Sequence, residues 1–298
     1  MTTLLLVVAL IVGAYIVAVL EGWTATGRLR PLAPLVAAIA LFGRESIVPR
    51  RPDRLLFEAA PPLLLVAAVL ATAVLPLAPG VVGVDLATGA LFVNAAWAYV
   101  LVAIVMAGWG ADGAYAMVGG WRFLGQLIAY AMLIVMPISA VAMRAESLAL
   151  GDVVRSQATL WNAIAQPLGF ALFALAAMAV AFLPPFDLPT AADLAGGIAA
   201  EYTGVRLAIF RLARLVLVLS LAGAVTVFFL GGWLGPGAPP WAWTAAKTLL
   251  VAAVMLVAGR FTPRIRNEQL LAWSWQFGIP LALVNIAWVG VTLWLADR

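Results

Sequence analysis

The chain contains no cysteine and no histidine among its 298 residues. Without these side chains it cannot form disulfides, thiol nucleophiles, iron–sulfur ligation, histidine–haem ligation or the usual zinc sites. Charge is also scarce, since Asp, Glu, Lys and Arg make up 10% of the residues and hydrophobic residues 65%. The mean hydropathy is +1.10. Such a chain has too few polar groups to cover a water-soluble surface, and this predicts an all-α integral membrane protein.

Apolar stretches of membrane length recur along the whole chain. They lie near 2–20, 57–79, 91–109, 121–143, 158–183, 206–231, 241–260 and 277–296. Each is close to or above the roughly 20 residues that a helix needs to cross the hydrocarbon core. The sequence therefore predicts a single integral membrane domain, 1–298, built as a polytopic bundle of about eight transmembrane helices. The stretch Leu32–Phe42 is too short to span and predicts an interfacial or buried helix.

Positive charges are distributed unequally between the two sides of this bundle. If the loops alternate, 13 arginines fall on one side, three on the other (Arg144, Arg155 and Arg298), and Lys247 inside a span. The positive-inside rule then places loops 21–56, 110–122, 184–205 and 260–276 in the cytoplasm, and both termini outside, on the periplasmic side of a bacterial plasma membrane. Because the basic residues flank apolar spans, they indicate membrane topology and not nucleic-acid binding.

The longest polar interruption between two spans runs from 184 to 205. Its charged residues and the arginine that follows are Asp187, Asp193, Glu201 and Arg206. From composition alone, a solvated connector and a functional loop both remain open. Prolines on both sides of Asp187 restrict its backbone, so we expect its carboxylate to be fixed by backbone N–H groups or by an arginine of the loop. Glu201 and Arg206 are five residues apart and are expected to meet different partners, facing a cavity or a docked protein.

Charges inside or at the ends of spans are costly and therefore informative. Lys247 lies in mid-span and is expected to meet a polar partner. It could extend its ammonium to the membrane surface, pair with an acid across the bundle, or belong to a proton path. Arg211 and Arg214 are expected to anchor their helix at the cytoplasmic membrane interface. Glu58 follows Arg54 at the spacing of an i,i+4 pair.

Several motifs together resemble one known family. They are Pro185-Phe186-Asp187-Leu188-Pro189, then Glu201-Tyr202-Thr203-Gly204-Val205-Arg206, then Phe229-Leu230-Gly231-Gly232-Trp233-Leu234-Gly235-Pro236 followed by Lys247, then Pro263-Arg264-Ile265-Arg266-Asn267-Glu268-Gln269-Leu270, and upstream Gly120, Arg122, Gln126 and Tyr130. The pattern resembles the H-type membrane subunit of bacterial NADH-quinone oxidoreductase, respiratory complex I, whose mitochondrial counterpart is subunit 1.

The resemblance implies a protein that joins the peripheral electron-transfer arm to the proton-translocating membrane arm and forms much of the quinone chamber. It assigns Asp187, Asp193, Glu201 and Arg206 to the quinone chamber and coupling loop, Lys247, Arg122, Gln126 and Tyr130 to a proton path or structural polar contacts, and Arg264, Arg266 and Glu268 to partner docking. No cofactor and no complete active site are expected in this chain. Quinone would be the substrate of the complex, with FMN and iron–sulfur clusters in partner subunits, and small and antiporter-like membrane subunits would lie beside it in the bilayer.

The sequence departs from the family at its acids. Apolar, hydroxyl or basic residues replace glutamates at Ala131, Val180, Thr190, Ala192 and Arg214. Because a titratable relay needs such carboxylates, a second hypothesis is a structural membrane anchor in a paralogous hydrogenase-like or ion-pumping complex. A third, an independent transporter, predicts inverted repeats and broken helices about a midplane site, neither of which the sequence displays.

Overall fold

A computed structural model of the chain describes residues 2–190, 193 and 195–296. Ala192 and Arg298, which entered the sequence predictions, lie outside the described residues. Within the described part the chain is helical, with a single isolated β-bridge between Ala78 and Val81. The helices are α1 (Thr2–Thr26), α2 (Ala33–Phe42), α3 (Arg54–Val74), α4 (Gly89–Gly110), α5 (Ala114–Ala145), α6 (Leu150–Arg155), α7 (Asn162–Ala165), α8 (Pro167–Val180), α9 (Gly204–Phe229), α10 (Pro240–Phe261), α11 (Asn267–Trp273) and α12 (Ile279–Ala296). The predicted all-α membrane bundle is confirmed.

Seven apolar helical stretches in the described chain are long enough to cross a membrane, and α11 and α12 together form one of them. The stretch near 158–183, predicted as one span, is instead divided into α7 and α8. The backbone breaks at Gln166, whose φ of −140° and ψ of 67° are not helical. Pro167 explains the break, because a proline disfavours helical geometry in the residue before it but suits the first turn of the next helix.

The short helix α8 nevertheless connects the two ends of the bundle. Its 14 residues rise only about 21 Å, less than the hydrocarbon thickness of about 30 Å. Before it, Asn162 accepts a 2.6 Å hydrogen bond from Arg144, near the end of α5. After it, the Phe186 carbonyl accepts one of 2.9 Å from Gln126, which lies 18 residues before Arg144 in the first half of α5. In the described residues α8, with α7 and the flanking turns, therefore forms a further passage between the two ends, beside the seven long apolar stretches.

Helix α9 forms the centre of the bundle. Its residues from Val216 to Phe229 are all buried, and α1, α3 and α10 pack around it. Close approach elsewhere depends on glycine: a Cβ at Gly108 in α4 would lie 2.7 Å from the Ala116 carbonyl of α5. Small residues at helix contacts are typical of membrane bundles, where packing takes over from the hydrophobic effect.

The short helix α2 lies on the outside of the bundle against α1 and α9. Val36 is 64% exposed and Ile39 71% exposed, whereas Leu41 is buried. Tyr15 of α1 donates a 2.6 Å hydrogen bond to the Pro31 carbonyl and fixes the chain just before the helix. Of the two predicted positions for this helix, the exposed apolar side chains favour the interfacial one.

Candidate functional site

Four polar segments meet at one end of the bundle. They are 21–56, 110–122, 184–205 and 260–276, the same four that the arginine distribution places on one side. Ile47 N–H donates a 2.7 Å bond to the Thr203 hydroxyl, and Ile265 N–H donates one of 3.2 Å to the Pro185 carbonyl. The segment 184–205 thus lies between the other loops and is held by their backbones.

This loop is shaped by tight turns and by glycine. It contains 3-10 turns at Leu188–Thr190 and Gly197–Glu201. Gly197 has a φ of +55°, and a Cβ there would lie 2.0 Å from the Pro189 carbonyl. Only glycine fits such a position. Ile198 beside it is fully buried, so the loop has a packed interior of its own.

Asp187 is fixed by an arginine, but not by one from its own loop. Its Oδ2 accepts a 2.8 Å bond from Arg264, and its side chain is 13% exposed while that of Arg264 is 51% exposed. The predicted source within the loop is therefore wrong, because the partner belongs to the segment 260–276 that lies against it. The pair joins the two segments.

Arg122 of α5 holds the second carboxylate of the loop. Its Nη1 donates a 2.8 Å bond to Asp193 Oδ2, and this charged hydrogen bond keeps the pKa of Asp193 below its usual range. The backbone carbonyl of Arg122 accepts a 2.8 Å bond from Asn267 at the start of α11. Arg122 therefore contacts both polar segments that face α5.

Arg206 makes a bidentate pair with Glu58 across helices α9 and α3. The two bonds measure 2.8 Å from Nε to Oε2 and 2.5 Å from Nη2 to Oε1. The predicted i,i+4 pair of Glu58 with Arg54 is wrong, since both carboxylate oxygens are taken by the planar guanidinium of Arg206. Phe57 lies below, 5.7 Å from the guanidinium, and stacks at 4.5 Å on Tyr202. Burial raises the pKa of the Tyr202 hydroxyl.

Glu201 and Arg206 have separate surroundings, as their spacing predicts. Glu201 Oε1 lies against the turn that precedes α5, where a Cβ at Gly113 would approach it to 2.8 Å. Arg206, however, does not face a cavity, because Glu58 holds it and its side chain is only 20% exposed. The docking candidates Arg266 and Glu268 are exposed at the start of α11.

Lys247 lies far from this polar end, at the opposite end of α9. It is 7% exposed, and its ammonium donates to the carbonyls of Leu230, Gly232 and Leu234 at 2.7, 3.1 and 2.7 Å. The indole rings of Trp161 and Trp243 lie 4.5 and 5.6 Å from it. The expected polar partner is confirmed, but it is a set of carbonyls that caps the end of α9 and not an acid.

A part-buried ion pair joins α9 to α1, and no contact that the sequence predicts corresponds to it. Arg214 of α9 donates to Glu21 of α1, whereas Arg211 is exposed. The two paired residues are 193 positions apart, so no local spacing identifies them. Of the other positions that lack the family's acids, Val180 is fully buried, and Ala131 and Thr190 are half-buried. Within the described residues no group of three or more acidic side chains lies close enough to hold a metal ion.

Comparison with known proteins agrees with this architecture over the whole length. A family model described as NADH dehydrogenase matches residues 2–290. The H-type subunit 2 of NADH-quinone oxidoreductase from Syntrophobacter fumaroxidans (strain DSM 10017 / MPOB) is 35% identical over 317 aligned positions, which cover 98% of this chain and 95% of that protein. The bacterial relative and the seven apolar helices indicate a plasma-membrane protein. The chain therefore belongs to the NADH dehydrogenase family, as a complex I membrane subunit.

Proposed function

We propose that this protein helps to form the quinone chamber and links the peripheral electron-transfer arm to the proton-translocating arm. The observation that carries the proposal is the set of three arginine–carboxylate contacts at one end of the bundle. Asp187–Arg264 joins loop 184–205 to the segment before α11, and Asp193–Arg122 joins the same loop to α5. Glu58–Arg206 joins α3 to the start of α9. A quinone bound at this end would lie next to these charged pairs, and its reduction would change the electrostatic field that acts on them.

The exposure of these pairs suits a responsive loop. Arg264 is 51% exposed and Asp193 is 56% exposed. Ion pairs this open to solvent are worth about 0–1 kcal/mol each, so a new charge nearby can break or re-form them. The packed turns around Gly197 would then transmit the change to α5, against which Ile198 lies. Arg266 and Glu268 would contact a soluble partner protein that carries iron–sulfur clusters, with FMN further along the arm.

The test removes one charge from the loop without changing its size. Asp187→Asn is expected to lower quinone reduction by the purified complex while leaving its protein composition unchanged. Asp152→Asn is the matched control, because Asp152 also pairs with an arginine, Arg155, but in the segment between α5 and α8. Equal activity of the two variants would contradict a role for the loop in quinone chemistry.

We also propose that the four polar segments face the cytoplasm and that both termini face the periplasm. The 13 arginines on that side support this orientation. Single cysteines at Asp193 and Ala238 can be introduced into a chain that has none. In intact cells an impermeant thiol reagent should label position 238 and spare position 193. Labelling of 193 from outside would reverse the orientation.

A structural anchor in a hydrogenase-like or ion-pumping complex is the second candidate. The apolar, buried side chain of Val180 supports it, since no carboxylate is available there to relay protons. Mild-detergent purification separates the two functions. Iron–sulfur and flavin subunits co-purifying with the chain favour the quinone-linked role, whereas antiporter-like subunits alone favour the anchor.

A further inference from the structure

An open depression lies where α3 begins and α4 ends, away from the arginine–carboxylate contacts of the proposed function. The Asp53 N–H donates a 3.0 Å hydrogen bond to the Gly110 carbonyl, which holds the two helix ends side by side. The depression has a volume of about 310 Å³. Its lining residues are Pro49, Arg50, Arg51, Ala111 and Asp112. We call it the α3–α4 pocket.

The pocket lies at the level of the lipid headgroups. Helices α3 and α4 are both long and apolar enough to cross a membrane, and the lining residues stand just outside their adjoining ends. Trp109, in the last turn of α4, is 54% exposed. Exposed tryptophan at the end of a span is typical of the membrane–water boundary. The pocket therefore opens where the bundle meets the phosphate groups of the bilayer.

The pocket holds charges of both signs that have no partner in the protein. Arg50, Arg51 and Asp112 are exposed, and in the described part of the chain none of the three forms an ion pair. Asp53, the acid nearest to the two arginines in sequence, caps α3 instead, since its Oδ1 accepts a 3.3 Å bond from the Leu56 N–H. Two guanidinium groups and one carboxylate are thus available to a ligand.

The backbone fixes the acid on the opposite wall from the arginines. Asp112 belongs to the turn between α4 and α5, and its N–H donates a 3.2 Å bond to the Trp109 carbonyl. Its φ of +50° is a left-handed conformation that aspartate and asparagine tolerate better than most residues. An anion that entered the pocket would meet this carboxylate as well as the two guanidinium groups.

We infer that the α3–α4 pocket binds the headgroup of an aminophospholipid, such as phosphatidylethanolamine. Arginine suits the phosphate, because its planar guanidinium donates to two oxygens at once. Asp112 repels a phosphate but accepts hydrogen bonds from an ammonium group. A headgroup with both groups therefore pairs with both signs of charge. An anionic lipid without an amine, or an acidic protein segment, leaves the carboxylate of Asp112 unpaired beside a second negative charge.

An apolar groove on the same helical hairpin suits the acyl chain of such a lipid. The groove is lined by Val105, Trp109, Met117, Gly120, Trp121 and Leu124. Trp121 is 56% exposed, so the groove is open to the lipid side. Helices α4 and α5 approach closely here, because a Cβ at Gly108 would lie 3.2 Å from the Gly120 Cα. Trp109 of the groove is three residues from Asp112 of the pocket, which places both features at one end of the hairpin.

Photo-crosslinking of the purified complex tests the inference. Phosphatidylethanolamine and phosphatidylglycerol analogues, each with a diazirine on an acyl chain, are added separately to the tagged complex in mild detergent. Mass spectrometry then identifies the crosslinked peptides. We expect the phosphatidylethanolamine analogue to label the peptides that carry Trp109 and Trp121 several-fold more than the phosphatidylglycerol analogue does. Equal labelling by the two analogues would overturn the aminophospholipid assignment.

Variants that remove charge give a second arm of the test. Arg50→Gln combined with Arg51→Gln should reduce labelling by both analogues, because both carry a phosphate. Asp112→Asn keeps the size and the tolerated backbone conformation, and it should reduce labelling by the phosphatidylethanolamine analogue alone. Arg28→Gln, at an exposed arginine of the same polar segment that does not line the pocket, is the matched control and should change neither.

The results also separate a lipid from a docked protein. If the double arginine variant loses a soluble subunit of the complex while lipid labelling persists, the pocket is a protein-docking site and the inference is wrong. The labelling needs neither quinone nor an electron donor, and the inference rests only on α3, α4 and α5 crossing a membrane. Its failure would therefore leave the proposed function standing, and loss of quinone activity would leave the lipid site standing.

Discussion

Replacing Lys247 with methionine separates a structural role from a proton path. The ammonium donates to three carbonyls at 2.7–3.1 Å and lies between two indole rings. Methionine keeps the length of the side chain and removes the charge. Because the last carbonyls of a helix have no intrahelical partner, the substitution leaves the end of α9 and the turn after it uncapped.

The expected loss follows from two opposing terms. Three hydrogen bonds to a charged group are worth about 1.5–3 kcal/mol each, or roughly 5–9 kcal/mol together. The variant also avoids the several kcal/mol that burying an ammonium costs. We therefore expect a net destabilisation of about 2–4 kcal/mol, which on the scale of soluble proteins lowers the unfolding temperature by roughly 5–10 °C.

The assay is the temperature at which the tagged complex loses its folded peak on size-exclusion chromatography in mild detergent. Arg155→Met is the control, since that side chain is 68% exposed and its loss should change little. A Lys247→Met complex that is as stable as the wild type but has lost proton translocation would refute the capping role and favour a proton path.

Three further predictions concern the polar end of the bundle. Glu58→Gln breaks the bidentate pair with Arg206 and should destabilise the complex by about 1 kcal/mol in thermal assays, because half of the Glu58 side chain is exposed; an unchanged transition would contradict this. Gly197→Ala places a Cβ 2.0 Å from a loop carbonyl and should increase proteolysis within the loop. A variant that is cleaved no faster than the wild type would contradict this. The contact of Asp193 with Arg122 lowers the pKa of the Asp193 carboxyl. The pair therefore stabilises the folded loop fully above the unfolded pKa of about 4, and this stabilisation is lost as the pH falls through the lower folded pKa. Acid-protease cleavage of the loop should therefore begin only below about pH 4, and onset nearer about pH 6 would argue against the pair.

The bundle could be predicted from the sequence because each span carries its own signal. Apolar length identifies the seven long apolar stretches of the described chain, and arginine position identifies the four polar segments that meet at one end. The break at Gln166 was not predicted, although Pro167 provided a local signal for it. Pro61, Pro62 and Pro137, in contrast, lie inside α3 and α5, which membrane helices tolerate when neighbours satisfy the freed carbonyls.

The partners within the candidate site could be predicted only in part, because they depend on distant contacts. Glu58 pairs with Arg206, 148 positions away, and not with Arg54 four positions away, because helix packing places the Arg206 guanidinium in contact with both carboxylate oxygens. The partner of Arg214 is likewise remote. Such contacts arise from helix packing, and a single sequence records no distance between helices.

The most direct test of the account is quinone reduction by the complex purified through a tag on this chain. The account predicts that peripheral iron–sulfur and flavin subunits co-purify, that NADH reduces added quinone, and that Asp187→Asn slows this reaction in a fully assembled complex. A complete wild-type complex that never reduces quinone would contradict the account and leave the membrane anchor in its place.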